Sequence, residues 1–205
     1  TPTASPTLNF TENPTFTPSP TVQPFITPGR IEVTPRPTQL YLPASIGNAV
    51  SDAAALIEGG NYVDALPLAQ QDRQSQGAIF SPNAYYYEAL AHLGLDQDDA
   101  AINVLDDAQT RLENLDGVNF EDATIYQPLI DLGYAEVYLK QAYDAADRGE
   151  LREVSTLAEQ ARERAEATLS VDEAYARAYV IIAEAYMLQD NYQSAIDILN
   201  QAELV

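Results

Sequence analysis

An all-α protein of four helical hairpins, preceded by an extended proline-rich arm, is what this sequence predicts. Three observations carry the expectation. From Pro43 onward apolar residues recur at helical spacing, and strand-like alternation is scarce. Breaker clusters at Gly59-Gly60-Asn61, Gly94-Leu95-Asp96 and Gly149 cut that run into segments. Ten of the 13 prolines and ten threonines fall within residues 1–43, which separates an arm (1–43) from a helical domain (44–205).

The elements follow in order. Helices are expected at about 45–58 and 62–75, 82–94 and 97–115, 122–148 and 150–169, and 172–189 and 191–203. Their connections are short, so each helix must fold back on its predecessor. Ser81-Pro82 puts proline at a first helical turn, where its missing N–H costs nothing. Pro67 lies near the start of the second helix and is tolerable there; Pro128 sits in the first turn of the fifth or kinks its start.

The last pair, residues 174–202, reads AYARAYVIIAEAYMLQDNYQSAIDILNQA. It resembles a tetratricopeptide repeat. Tyr179 stands at the large aromatic position, Ile182 and Ala183 at the Leu-Gly pair and Tyr186 at the next aromatic. Tyr192, Ala195, Leu199 and Ala202 follow in the second helix. Small residues let two helices approach and large ones fill the space left. Gly60-Asn61-Tyr62-Val63-Asp64-Ala65-Leu66 repeats the signature strongly; the stretches ending at Ala100 and Val154 repeat it weakly. The small position thus recurs at 65, 100, 154 and 195, with gaps of 35, 54 and 41 against about 34 in the family, so the third pair must be elongated, chiefly in its first helix. The resemblance covers residues 44–205. It implies a right-handed superhelix of hairpins, no catalysis, and a concave groove that binds extended peptides.

Charge narrows the partners. The chain carries a net charge of −21. The arm is neutral (Glu12, Arg30, Glu32, Arg36), so the helical domain holds the whole excess, with Lys140 its one lysine. Such a body repels nucleic-acid backbones and anionic membrane surfaces, and no apolar run is long enough to span a bilayer. Nucleic acid and membrane insertion are therefore not expected. The negative charge serves solubility; Asp96, Asp98 and Asp99 suggest weak divalent-cation binding, but Ala100 and Ala101 break any EF-hand spacing. Cysteine is absent, which excludes disulfides and thiolate chemistry and suits an exposed extracellular protein. A start at Thr1 fits removal of a targeting segment, or a fragment.

The sequence offers no catalytic constellation, cofactor motif or metal-ligand cluster. His92, the only histidine, lies mid-helix beside Leu93 and reads as a polar residue of a helix surface or groove; a triad needs an oriented partner set. Carboxylate pairs abound but read as solvated helix faces. Tyr126, Tyr134, Tyr138 and Tyr143 read mostly as core. Tyr85, Tyr86 and Tyr87 are consecutive, so at least one is expected to face solvent or a partner, and they are the candidate groove residues. The family's lysine-rich clamps for acidic C-termini have no counterpart in a domain with one lysine, which leaves neutral, apolar or basic ligands.

Thr/Pro-rich segments act as spacers or O-glycosylated stalks. The glycosylation candidates are Thr3, Thr7, Thr15, Thr17, Thr21, Thr27, Thr34 and Thr38, with Asn9-Phe10-Thr11 as an N-glycan sequon. A plain spacer lacks large apolar groups, yet Phe10, Phe16, Val22, Phe25, Ile31 and Leu40 are separated by multiples of three. A polyproline II helix turns every three residues, which would align them on one edge. At the other end Tyr192, Ala195, Ile196, Leu199 and Ala202 make an apolar face that Ile198 and Val205 widen, and Ile198, Leu204 and Val205 are the candidate C-terminal interface. An adhesive arm and an open apolar end make a heterologous contact that repeats.

The leading expectation is a secreted or cell-surface, non-catalytic structural subunit. It forms a filament or fibril of its own copies, the arm of one docking on the repeats of the next, with sugars on arm Thr and Ser and no cofactor. The second is a monomeric cell-envelope adaptor whose groove binds another protein's peptide, with the arm as tether. An enzyme would require an activity lost on changing His92 or a carboxylate pair.

Overall fold

The computed structural model describes residues 51–75, 81–114 and 120–203. It is all-helical, with eight helices and no strand among the described residues: α1 (Ser51–Glu58), α2 (Tyr62–Ser75), α3 (Pro82–Gly94), α4 (Asp98–Glu113), α5 (Phe120–Arg148), α6 (Leu151–Val171), α7 (Ala176–Leu188) and α8 (Tyr192–Ala202). The arm residues Phe10, Phe16, Val22, Phe25, Ile31 and Leu40, the eight threonines, and Leu204 and Val205 lie outside the described residues.

One turn is used four times. It joins α1 to α2, α3 to α4, α5 to α6 and α7 to α8, each time with a left-handed residue two positions before the second helix: Gly60 (φ 75°), Asp96 (φ 57°), Gly149 (φ 76°) and Asp190 (φ 58°). That residue donates its N–H three positions back, to Ile57, Leu93, Ala146 and Met187. The next residue donates five back, to Leu56, His92, Ala145 and Tyr186. This pair of bonds satisfies carbonyls that a helix end leaves bare. Glycine takes the conformation freely; aspartate is among the few others that tolerate it.

The second helices begin in phase with this turn. Three residues after each helix start stands a buried side chain: Ala65, Ala101, Val154 and Ala195. The small position of the second hairpin is therefore Ala101 and not Ala100, which is half-buried. Asn61 and Asn191 cap α2 and α8, their side chains accepting from the N–H of Asp64 and Ser194 at 3.4 Å.

Beyond shifts of one or two residues at the described helix ends, two features depart from the sequence reading. The seventh helix begins at Ala176, not 172, because Asp172 ends α6 with an extended backbone (φ −148°, ψ 112°), and its side chain accepts the N–H of Ala174 at 2.9 Å. Pro128 sits well inside α5 rather than in its first turn. Its carbonyl accepts from the fully buried Thr168 hydroxyl of α6 at 3.1 Å, which anchors the proline-containing turn to the next helix.

Successive helices pack on one another, and each later first helix also packs on the one before it: α1 with α3, α3 with α5, α5 with α7. The elongation expected in the third pair falls in α5, the longest helix at 29 residues. The largest core cluster draws Ala53, Ala65, Tyr86, Leu132, Leu139, Ala165 and Ile182 from six helices. A second gathers Tyr85, Leu105, Ile130 and Val137 from α3, α4 and α5. Alanine recurs through these contacts, which lets the helix axes close up. Two glycines go further. A Cβ on Gly94 would lie 2.2 Å from the Tyr62 ring, and one on Gly133 would lie 2.5 Å from Leu105 Cδ2. Gly94 is thus a helical residue against which the preceding hairpin presses, and the turn residue beside it is Asp96.

Candidate functional site

Burial of the polar side chains decides most of the readings. Tyr85, Tyr86 and Tyr87 are all buried, at 2 %, 1 % and 2 % exposure, so the expectation that at least one faces solvent is corrected. The reason is α3 itself, which is packed against α1, α2, α4 and α5 and so has no free side. Arg73 and Arg111 lie over the Tyr85 ring at 5.3 and 5.9 Å. Tyr86 and Tyr87 meet edge to face with centroids 5.5 Å apart. Burial raises the phenols of all three above their ordinary range.

His92 is buried as well, at 9 % exposure, which corrects its reading as a surface or groove residue. Its Nδ1 lies 2.7 Å from Gln97 Oε1 and its Nε2 3.9 Å from Glu88 Oε1. Glu88, 1 % exposed, is held by Arg73 Nε at 2.6 Å. A buried carboxylate needs such a partner. The contacts of His92 tie α3 to the turn before α4.

A second network joins the first helices of the last two hairpins. Arg177 donates from Nε and Nη2 to both oxygens of Glu136 at 2.6 Å, and its Nη1 stands 3.8 Å from Glu184. Tyr143 donates to Glu184 at 3.4 Å. Desolvation, only partly offset by Arg177, raises the Glu184 carboxyl above its usual range. Tyr134 donates to Asp106, with Arg164 over its ring at 4.9 Å; Tyr126 and Tyr138 are half-buried.

Two of the three aspartates read as a cation site, Asp96 and Asp98, hold Lys140 instead. Its ammonium lies 3.2 Å from Asp96, 3.1 Å from Asp98 and 2.8 Å from Asp144. Partial burial pulls its pKa down, but hydrogen bonds to Asp144, Asp98 and Asp96 raise it above the ordinary lysine range. Asp99 lines an adjoining open hollow of about 320 Å³ together with Gln141, Arg148 and Glu153. Among the described residues no group of three or more His, Asp or Glu is arranged to hold a metal ion, and no helix is long and apolar enough to cross a membrane.

Among the described residues, α8 of the fourth hairpin leaves three large apolar side chains exposed on one side. Tyr192, Ile196 and Leu199 of α8 are 56 %, 52 % and 43 % exposed. They recur at helical spacing on one side of the helix. Ile198, expected on this surface, turns inward and is half-buried against the large core cluster. The repeated turn makes the anomaly measurable. The residue seven after each second-helix start is Ala69, Leu105 and Ala158 in the first three hairpins, all at 0 %, and Leu199 in the fourth. Leu105 reaches Gly133 of the next hairpin, whereas Leu199 is 43 % exposed. At the first helical residue Tyr62 lies on Gly94, whereas Tyr192 is 56 % exposed and donates to its neighbour Asp190 at 2.9 Å. Leu151 at that position is also exposed, at 78 %.

Compared with protein-family models, with curated proteins and with solved structures, the chain matches none. The reading of the site therefore rests on the residues themselves. Sequence reasoning found Tyr192, Ile196 and Leu199 as part of one apolar face. It did not separate the side that packs inward (Ala195, Ile198) from the side left open. The aligned buried positions of the earlier hairpins would have drawn that line.

Proposed function

We propose that this chain is a non-catalytic structural subunit of an extracellular or cell-surface assembly, in which the neutral Thr/Pro-rich arm of one copy docks on the helical hairpins of the next. The hairpins stack as a right-handed superhelix of tetratricopeptide type, for which the fourfold turn and its in-phase buried residue are the support. Heterologous contacts of this kind repeat into filaments or rings. Sugars on the arm threonines fit the same surface-exposed setting.

The observation that carries this reading is the exposed apolar side of α8, against a body whose buried polar groups are largely occupied with one another. With its buried Arg, His and carboxylate groups paired with one another, the chain is read as binding through this apolar side. The second reading, a monomeric adaptor with a peptide groove, rested on Tyr85, Tyr86 and Tyr87, and their burial withdraws those anchors.

The test is a truncation. Removing residues 1–40 from the full chain is expected to reduce the assembled form to monomer by light scattering, with helical content retained. A truncated protein of unchanged mass would reject the proposal.

A further inference from the structure

We propose that the open side of α8, formed by Tyr192, Ile196 and Leu199, is the seat for arm residues 22–36 of a neighbouring copy. The inference rests on the assembly reading above and names the place where the arm lands.

The first argument is equivalence of position. Leu199 occupies the site at which three other hairpins are fully buried, and Leu105 there is covered by a helix of the next hairpin at a glycine. The fourth hairpin presents the same kind of surface with nothing upon it among the described residues. Burying one large aliphatic or aromatic side chain contributes about 1.5–3 kcal/mol, so three neighbouring ones form a seat of useful strength.

Charge selects the occupant. Residues 178–205 contain Glu184, Asp190, Asp197 and Glu203 and no basic residue. Two copies of this face brought together would set like charges against one another, at a cost that rises as water is excluded. Residues 22–36 of the arm hold Arg30 and Arg36 against Glu32, a net charge of +1, beside Val22, Phe25 and Ile31, which sets apolar anchors and a small opposite charge in one stretch.

Spacing agrees. Tyr192 and Leu199 are seven residues apart on a helix that rises about 1.5 Å per residue, roughly 10 Å in all. Anchors three residues apart in a polyproline II helix, such as Val22 and Phe25, are separated by about 9 Å on one edge. Prolines lower the entropy lost when such a segment is fixed.

The natural absence of cysteine gives a clean test. Full-length Phe25→Cys mixed with full-length Leu199→Cys is expected to yield a mixed disulfide, whereas a Thr156→Cys control on exposed α6 does not. In parallel, Ile196→Glu and Leu199→Glu in the full chain are expected to weaken assembly by about tenfold or more, with circular dichroism unchanged. If removal of the arm dissolves the assembly while these variants do not, and no mixed disulfide forms, the arm reading stands and this seat is wrong. If the variants dissolve the assembly but arm removal does not, the face meets another copy's helices and the seat assignment falls. If neither matters, both fall.

Discussion

Gly94 shows how one residue sets a junction. It lies inside α3, and an added Cβ would meet the Tyr62 ring at 2.2 Å, closer than any relaxed contact. Gly94→Ala therefore forces the ring or the helix aside, and overpacking of this kind costs about 1–3 kcal/mol. Urea unfolding of the variant is expected to show that loss. In the Tyr62→Ala background the added cost of Gly94→Ala should be largely absent, since the two side chains share one space. Nothing in the residue order separates this glycine from a turn glycine. Gly94 precedes Leu95-Asp96, glycine serves both purposes, and only the observed positive φ at Asp96 shows which residue makes the turn. The same confusion displaced the buried alanine by one position, to Ala100 instead of Ala101. Tyr85, Tyr86 and Tyr87 failed for a different reason. Helical periodicity buries one side of a helix, whereas α3 is enclosed by neighbours distant in sequence.

At the scale of the element, the hairpins were legible because their punctuation is local. Gly60-Asn61 and Asp190-Asn191 place a left-handed residue and then a capping side chain directly before a helix, and both carry the same bonds. Asn61→Ala and Asn191→Ala are each expected to cost about 1 kcal/mol. Amide exchange should locate the loss in the first turns of α2 and α8 respectively, with α4 and α6 unaffected. The start of α7 was less legible, because Asp172 can serve either as a first-turn acid or as the acceptor of its own turn. Its extended backbone (φ −148°, ψ 112°) at the end of α6 decides for the latter, with the side chain accepting the Ala174 N–H at 2.9 Å. Which side of α8 is open was not legible either. Tyr192, Ala195, Ile196 and Leu199 form one apolar stripe in sequence, and only packing divides it into a buried Ala195 and an exposed remainder.

For the whole molecule, the buried phenols set an alkaline limit. Burial holds the Tyr175 phenol up to about 12, with Asp172 adding to the shift, and raises Tyr86, Tyr87 and Tyr134 as well. The folded chain thus keeps protons that the unfolded chain releases near an ordinary tyrosine pKa of about 10. Their contribution to stability is complete below about pH 10 and is lost as pH rises toward 12. The urea midpoint should fall steeply across that window. A spectrophotometric titration should show these tyrosines ionising together with unfolding; ionisation of all 13 tyrosines at an ordinary pKa in a folded chain would contradict it.

A ring seated in a notch does more than fill space. Sliding α2 along α3 by a single residue would carry Tyr62 off Gly94 and onto a full side chain, so the first junction is keyed like a tooth in a rack. Leu105 on Gly133 keys the second in the same way. At the third, Ala158 and Ala185 share a small buried cluster with Ala142, and α7 carries no glycine to receive a neighbouring side chain. Under tension the last hairpin should be the first to slip from its neighbours, an order of events that single-molecule pulling would read directly.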